Sequence, residues 1–498
     1  MCFSLITRLI AFLFKVFLSR TMGAEALGLF SMGLAVFGLL TMIPSSGIPL
    51  TVSRKVAETP DDQTAYGAVT TGLILTVAVN LVTVGLFLLF RSPILGLFAD
   101  QRAEKVVLIM VPATFSTCIY NVLRAYLMGR KHYVAYSVTE TFEEIVNVAV
   151  VLVVMYGGIV ALSGSEALAT AFLVGDVLTL AVLLVLFVCL RGRLAKPAHF
   201  LPVVKSSTPI TLMRLFTSLA ATFTAVILPN RMVAGGMEVS AATAAYGEAV
   251  GMAYPLLFAP LAITSALSVV LLPELAELSA AKRSDKIAAK IDLGVHYVVM
   301  ISLLFFVIYA ALGTPLGTLI YGNAAAGQFV TFAAGLVVPL TLTQLTNTAL
   351  NSLGLEFRCF VNTMIALAAM ALCLWFLPAL LGIYALAVAQ TVFYLVSFVA
   401  NVIVLAKRGY THTAYAKSFA KLSLGALFIA AVCIAMRYWL TNVDMIISTI
   451  IVGLSGATLY AALVLATKSL DVKLIFAVLK RKKRKTLDKQ HYPNQSVS

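Results

Sequence analysis

Apolar residues fall in blocks of about 20 along the whole chain, separated by short polar or basic stretches; a helix needs that length to cross a bilayer. On this template the sequence predicts fourteen spanning helices, at about 2–19, 27–49, 66–90, 105–128, 134–157, 167–190, 208–229, 245–272, 292–313, 329–352, 358–380, 383–406, 419–437 and 444–467. Every connection between them is short, so no soluble domain is expected outside the membrane. The fold class predicted is an all-α polytopic membrane protein. The first block carries charge within it and no small-residue cleavage site after it, so it reads as a real first helix and not a removed leader. Its abrupt beginning points to a start codon upstream.

Composition agrees with the pattern: 61% of the 498 residues are hydrophobic, 11% are charged, and mean hydropathy is +0.99. The net charge of +15 matters through its distribution. With an even number of spans both ends share one side. That side holds Arg54, Lys55, Arg130, Lys131, Arg191, Arg193, Lys196, Lys282, Arg283, Lys407 and Arg408, while the other holds little beyond Arg20, Arg91, Arg102, Lys105, Arg231 and Arg437. The bias predicts that both termini are cytoplasmic. The tail run Lys480–Lys485, KRKKRK, suits anionic lipid or a topology anchor. The basic residues form no patch with interleaved aromatics, so nucleic acid is not expected as a partner. The six cysteines show no CxxC spacing and sit mostly in apolar runs, as packing residues.

A repeat runs through the chain. SGIPLTVSRKVAE at Ser46–Glu58 parallels SALSVVLLPELAE at Ser265–Glu277, and Ala26, Gly28 and Ala57 parallel Ala245, Gly247 and Ala276, all at an offset of 219. Helix 2 thus corresponds to helix 8. Six helices intervene, so the repeats point the same way, as in two lobes related by an axis along the membrane normal. The division expected is residues 1–190 for the first lobe (helices 1–6), 191–407 for the second (helices 7–12), 408–467 for two appended helices and 468–498 for a basic tail.

Charge at membrane depth carries the chemistry, because each such group costs about 2.5–3.5 kcal/mol near the bilayer centre and must face a partner or a wet hollow. Arg8 and Lys15, seven apart, share one face of helix 1 with Ala11 between them; they would hold a phosphate or pyrophosphate headgroup, or pair with carboxylates or snorkel. Arg214 on helix 7 and Arg124 on helix 4 join them as candidate substrate-binding residues. Glu140, Glu143, Glu144 and Asn147 lie at i, i+3, i+4 and i+7 on helix 5, and three such carboxylates cannot all ionise in a low-dielectric setting. Glu140, Glu143, Glu144, Asp176 and Glu248 are therefore candidates for coupling to a proton or sodium gradient, although pairing of one helix 5 glutamate with Arg124 is as good a reading. Thr117 and Asn121 on helix 4, and Gln344, Asn347 and Asn351 on helix 10, are candidates to line a polar path. IPSSGIP at Ile43–Pro49 should kink or end helix 2. No GxxxxGK loop, HExxH or aspartate-rich metal motif is present; no cofactor, metal or enzyme activity is expected.

TRLIAFLFKVFLSRTMGAEALGLF (Thr7–Phe30), SGIPLTVSRKVAE, TFEEIVNV (Thr141–Val148), PITLMRLFTSL (Pro209–Leu219) and YGEAVGMAYPLLFAPLAITSALSVVLLPELAE (Tyr246–Glu277) together resemble the stage V sporulation protein B branch of the multidrug/oligosaccharidyl-lipid/polysaccharide exporter superfamily. The resemblance implies a flippase for undecaprenyl-linked glycans or a lipid II-like precursor, cycling by alternating access around a cationic cavity, in the bacterial cytoplasmic membrane and with cell-wall synthesis proteins as candidate partners. It places Arg8 and Lys15 at the cavity bases. Ala11 stands where the branch usually has glycine, Asn147 where it often has arginine and Glu248 where glutamine is common; the last two make the cavity less cationic. A cation-coupled multidrug exporter on the same fold, and a non-transporting membrane factor in cell-wall or spore assembly, remain as alternatives.

Overall fold

A glycine sets the first turn of the architecture. The computed structural model describes residues 2–59, 61–156, 164–281, 283–411, 416–467 and 469; Lys282 and the basic tail run lie outside them. The helical run Cys2–Ser45 is interrupted at Gly23, whose φ of 77° and ψ of 173° suit a residue without a Cβ. Here the chain folds back on itself. Ala11, Phe14, Lys15 and Leu18 before the break, and Leu34, Ser31, Phe30 and Leu27 after it, face the same hollow, at mirrored distances from Gly23. We therefore treat residues 2–22 as α1 and residues 24–58 as α2. Pro44 lies inside α2, and at Ser46 the helix bends for one residue before resuming as Gly47–Glu58. The IPSSGIP segment kinks the helix and does not end it.

The remaining helices are α3 (Asp62–Leu89), α4 (Arg102–Gly129), α5 (Tyr133–Tyr156), α6 (Gly164–Cys189), α7 (Phe200–Ala234), α8 (residues 239–280, with a π-helical turn at Gly247–Ala253), α9 (Ser284–Tyr321), α10 (Ala324–Ser352), α11 (Glu356–Phe376), α12 (Tyr384–Lys407), α13 (Ala416–Trp439) and α14 (Met445–Ala466). Twelve described helices are long and apolar enough to cross a membrane. One of them, Thr7–Glu58, contains the Gly23 reversal and so crosses twice. The 24 residues of α5 have the length, but its glutamates reduce its apolar character. Counting the two arms of the Gly23 break separately and adding α5 gives about fourteen crossings among the described residues, by length and composition. Several helices outrun their predicted limits, because hydropathy marks only the apolar interior. Predicted helix 9, at 292–313, extends over Ser284–Tyr321. Asp285 in its first turn suits the helix dipole, and Lys290 pairs with Glu274 of α8 at 2.9 Å.

Three apolar clusters hold the bundle. One gathers Leu27, Met32 and Met110 with Leu228, Met252, Tyr321, Phe329 and Leu386, joining the two halves of the chain at the Gly23 end. Toward the opposite end two further cores form: Val52, Val69, Leu123 and Phe187 gather around Val203 of α7, and Leu275, Ile291, Leu350 and Leu422 make the other, onto which α13 and α14 pack through Ile429 and Val452. Polar contacts reinforce the shared end. The Arg20 side chain donates to the carbonyls of Leu319 and Ile320 at the end of α9. Arg102 binds Asp100 at 2.7 Å and Glu25 at 2.5 Å, and Thr243 donates to Asp100 at 3.1 Å.

Candidate functional site

The residues that make the first cavity lie where helical spacing puts them on facing stripes: Ala11, Lys15 and Leu18 on α1; Leu27, Ser31 and Leu34 on α2; Glu144, Asn147 and Val151 on α5; Val250 and Gly251 in the π turn of α8. The hollow measures about 350 Å³. Its apolar wall is braced by Phe172, whose ring meets Phe37 edge-on at 5.0 Å and Phe30 at 6.3 Å. Lys15 is reached by solvent through the hollow while protein surrounds it, and the Glu144 charge acts on it. No ion pair of contact distance joins these two groups among the described residues. A lysine held this way keeps N–H donors available to an anion.

Behind this wall lies a polar network on α4, α5 and α6. Glu143 accepts from the Tyr120 hydroxyl at 2.8 Å and from Arg124 at 2.6 Å. Arg124 also donates to the Thr139 carbonyl at 3.0 Å, and its guanidinium lies over the Tyr120 ring at 4.8 Å. Asp176 is completely buried. One of its oxygens takes the Thr117 hydroxyl; the other, together with the side-chain oxygens of Asn147 and Thr179, has no hydrogen-bond partner. The Asn147 amide oxygen lies against α6 at Gly175, next to Asp176 in sequence. A carboxylate among neutral oxygens is a donor set for a proton or a hard cation, and buried polar atoms are rarely left unpaired without such a reason.

The predicted site residues therefore separate. Lys15, Glu144 and Asn147 meet in the cavity; Thr117, Arg124, Glu143 and Asp176 meet in the network. Arg124 is committed to Glu143 and does not line the cavity. Arg8 and Arg214 are exposed, and neither lines a described cavity; Glu140 and Asn121 are half-buried on their helices outside both lining sets. Glu248 lies in the π turn of α8 but does not line the hollow; Asn323 donates to it at 3.0 Å. On α10, Gln344 and Asn351 are exposed, whereas Asn347 accepts from Asn401 at 2.7 Å within a cluster that also contains Asn362 and Thr346. This amide cluster ties α10, α11 and α12 together. Asn401 and Asn362 were missed from sequence although each is polar within an apolar span. Tyr120, which braces Arg124, gave no such signal.

A second cavity of about 470 Å³ adjoins the first, sharing Ser31, Leu34 and Val250 and extending to Thr217, Gln390 and Tyr394 on α7 and α12. Beyond it an apolar cleft of about 620 Å³, sharing Ala220, Leu367 and Met370, opens between α7 and α11.

Comparison with known proteins agrees with this geometry. The model of the polysaccharide biosynthesis protein family matches residues 1–279. Stage V sporulation protein B of Bacillus subtilis (strain 168) is 27% identical over an alignment of 349 residues that covers 66% of this chain and 66% of that protein, just under two thirds of its length. Among solved structures, the lipid II flippase MurJ in an inward closed conformation superposes with a TM-score of 0.74 at 14% identity, covering 93% of this chain and 97% of that one. An inward-facing multidrug resistance MATE family transporter of the MOP superfamily superposes with a TM-score of 0.68 at 14% identity, covering 81% and 94%. Identities this low speak for the fold alone. The chain belongs to the polysaccharide biosynthesis protein family and is a multi-pass membrane protein with the fold of MOP superfamily transporters.

Proposed function

We propose that this protein is a flippase for a polyprenyl-linked glycan or peptidoglycan precursor bearing a pyrophosphate, working by alternating access. One observation carries the reading: Lys15 stands in a largely apolar hollow of the first half of the chain, bordered by the π turn of α8, and forms no contact-distance ion pair among the described residues. An amphiphile with an anionic headgroup fits such a hollow, its charge on Lys15 and its prenyl chain toward the apolar cleft between α7 and α11. The likeness to MurJ, a lipid II flippase, and to a sporulation protein supports this substrate class. Arg8, two turns before Lys15 on α1, would receive the headgroup at the mouth, and Arg214 would assist from α7.

The halves of the chain would act as two lobes, sharing a core at the Gly23 end and touching at the other through α7, where Ser46 donates to Thr211 at 3.2 Å. By the bias of Lys and Arg, the Gly23 end would face outward and both termini would be cytoplasmic. Asp176 with Thr117, Asn147 and Thr179 would take the coupling proton or sodium ion; a gradient drives the cycle only if that ion binds the two states unequally. The basic tail would hold anionic lipid.

The test is translocation of lipid II, or of another undecaprenyl-linked precursor, in proteoliposomes. Lys15→Ala and Arg8→Ala, each inserted at wild-type levels, should lower the rate at least tenfold. Full activity in both variants would remove the headgroup site. Drug resistance on overexpression, without any change in lipid intermediates, would favour the exporter reading instead, to which Glu144 beside Lys15 lends support.

A further inference from the structure

The second cavity differs in chemistry from the first. Its lining holds no charged side chain; it presents Tyr254 from α8, Phe393, Tyr394 and Gln390 from α12, and Thr217 and Thr224 from α7. The rings are braced: Phe393 and Tyr394 meet edge-on at 4.9 Å, and Tyr254 meets Phe258 at 5.0 Å. Gln390 stands beside the Tyr254 hydroxyl, and Thr343 fixes this part of α12 by donating to the Tyr394 carbonyl at 2.7 Å. An anion finds no counter-charge here; Thr217 and Thr224 already donate to the Arg214 and Ala220 carbonyls, but a hydrocarbon chain would leave the Gln390 amide and the buried Tyr254 hydroxyl unpaired. A ligand with apolar faces and a hydroxyl rim meets both demands. Aromatic rings accept its C–H face, and a glutamine side chain both donates to and accepts from its hydroxyls. The volume, about 470 Å³, is in the range of small-molecule sites, and the shared residues Ser31, Leu34 and Val250 set the cavity directly beside the one that holds Lys15.

We propose that this second cavity is a sugar subsite, taking an uncharged pyranose ring of the lipid-linked substrate while its pyrophosphate lies on Lys15. The inference rests on the flippase reading and assigns Gln390 and Tyr394 as the residues that recognise the glycan. Glycan choice would then be set by α7, α8 and α12, apart from the α1 base that holds the anion.

Binding of the full chain in lipid nanodiscs tests it, with three probes: undecaprenyl pyrophosphate, undecaprenyl-pyrophosphoryl N-acetylglucosamine and lipid II. The wild type should bind at least one glycan-bearing probe about tenfold more tightly than the bare pyrophosphate. Gln390→Ala and Tyr394→Leu should reduce that affinity to the bare-lipid level and leave bare-lipid binding unchanged, whereas Tyr394→Phe should retain the preference and Lys15→Ala should weaken all three probes. Equal binding of all three by the wild type would overturn the subsite, as would equal weakening of all three by Gln390→Ala and Tyr394→Leu. A wild type that binds none of the probes would remove the flippase reading, and the subsite with it.

Discussion

Gly28 and Gly247 face each other across one helix crossing, each against the other's helix: a Cβ on Gly28 would overlap the Thr243 carbonyl, and a Cβ on Gly247 would overlap the Ala24 carbonyl. The contact is reciprocal in sequence as well, since 247 − 28 and 243 − 24 both equal 219. A contact in which each repeat offers the same surface to the other is the signature of two-fold symmetry. The glycines that revealed the repeat thus pack α2 against α8 at the end where the halves of the chain share a core.

Gly28→Ala and Gly247→Ala should each destabilise the protein by about 1–3 kcal/mol through overpacking, read as a lower thermal midpoint in detergent. Because the sites touch, the double variant should not show the sum of the two losses. Gly85→Ala, on α3 with no atom within 4 Å of the added methyl, is the control; it should be neutral or stabilising, since alanine favours helix by about 1 kcal/mol.

The polar seal at the same end should depend on pH. Burial opposes the charged form of Asp100, but the Arg102 side chain and backbone N–H, with the Thr243 hydroxyl, outweigh it and hold the carboxyl below its ordinary range. A depressed carboxylate contributes stability that is complete above its unfolded pKa, about 3.9, and is lost as pH falls through the folded value. The gap in thermal midpoint between wild type and Asp100→Asn should therefore hold constant from pH 8 to about 5 and close on further acidification. A gap that instead grew on acidification would contradict this assignment.

Breaking the Arg124–Glu143 pair should damage folding more than transport. Both side chains are largely buried, at 11% and 20% exposure, so removing one leaves the other charged and unpaired at a cost of about 3–5 kcal/mol. Arg124→Ala should insert poorly or melt early, and Arg124→Ala with Glu143→Gln should recover part of the loss. A headgroup-binding role for Arg124 predicts the reverse: a stable protein with no substrate binding.

How far these roles were legible in the sequence follows from what a sequence encodes. The spans were readable because bilayer thickness fixes their length, and Lys15 and Glu144 stood out because charge inside an apolar run has few explanations. The division of the buried charges was readable only in part: pairing of a helix 5 glutamate with Arg124 was one of two open readings, and the Arg124–Glu143 contact at 2.6 Å decides it. Spacing places Arg124 on a face of α4, but which neighbour that face meets depends on how α5 and α6 lie beside it. The reversal at Gly23 was placed only approximately, since hydropathy carries through the turn. Gln390 and Tyr394 escaped notice because isolated polar and aromatic residues are common in membrane helices, and only their convergence with Tyr254 gives them a role. The basic tail and the orientation of the termini rest on charge bias alone.

Asp176→Asn should uncouple the cycle while leaving the fold in place. The substitution keeps size and hydrogen bonding to Thr117 but removes the ionisable oxygen that has no partner. Precursor flipping under an imposed proton or sodium gradient should fall at least tenfold, with binding of undecaprenyl pyrophosphate retained. Gradient-driven flipping at the wild-type rate would exclude Asp176 as the coupling site.

Glu144 should limit how tightly Lys15 holds an anion. The two line one cavity, and the carboxylate's field acts on the ammonium, so any anionic headgroup on Lys15 also meets repulsion from Glu144. Glu144→Gln removes that repulsion without changing the size of the wall. At an effective dielectric near 20, charges several ångströms apart interact by a few kcal/mol; with water in the hollow, about 1 kcal/mol of this should remain, roughly a fivefold gain in affinity for undecaprenyl pyrophosphate. Tighter binding that is equal in the inward- and outward-facing states lowers the half-saturating substrate level without speeding the cycle, and tighter binding in one state alone slows release. The variant should therefore bind better and flip no faster. If Glu144→Gln instead weakened binding of the anionic probe, and the wild type exported a cationic dye that the variant did not, the cavity would be acidic in function and the cation-exporter reading would take precedence.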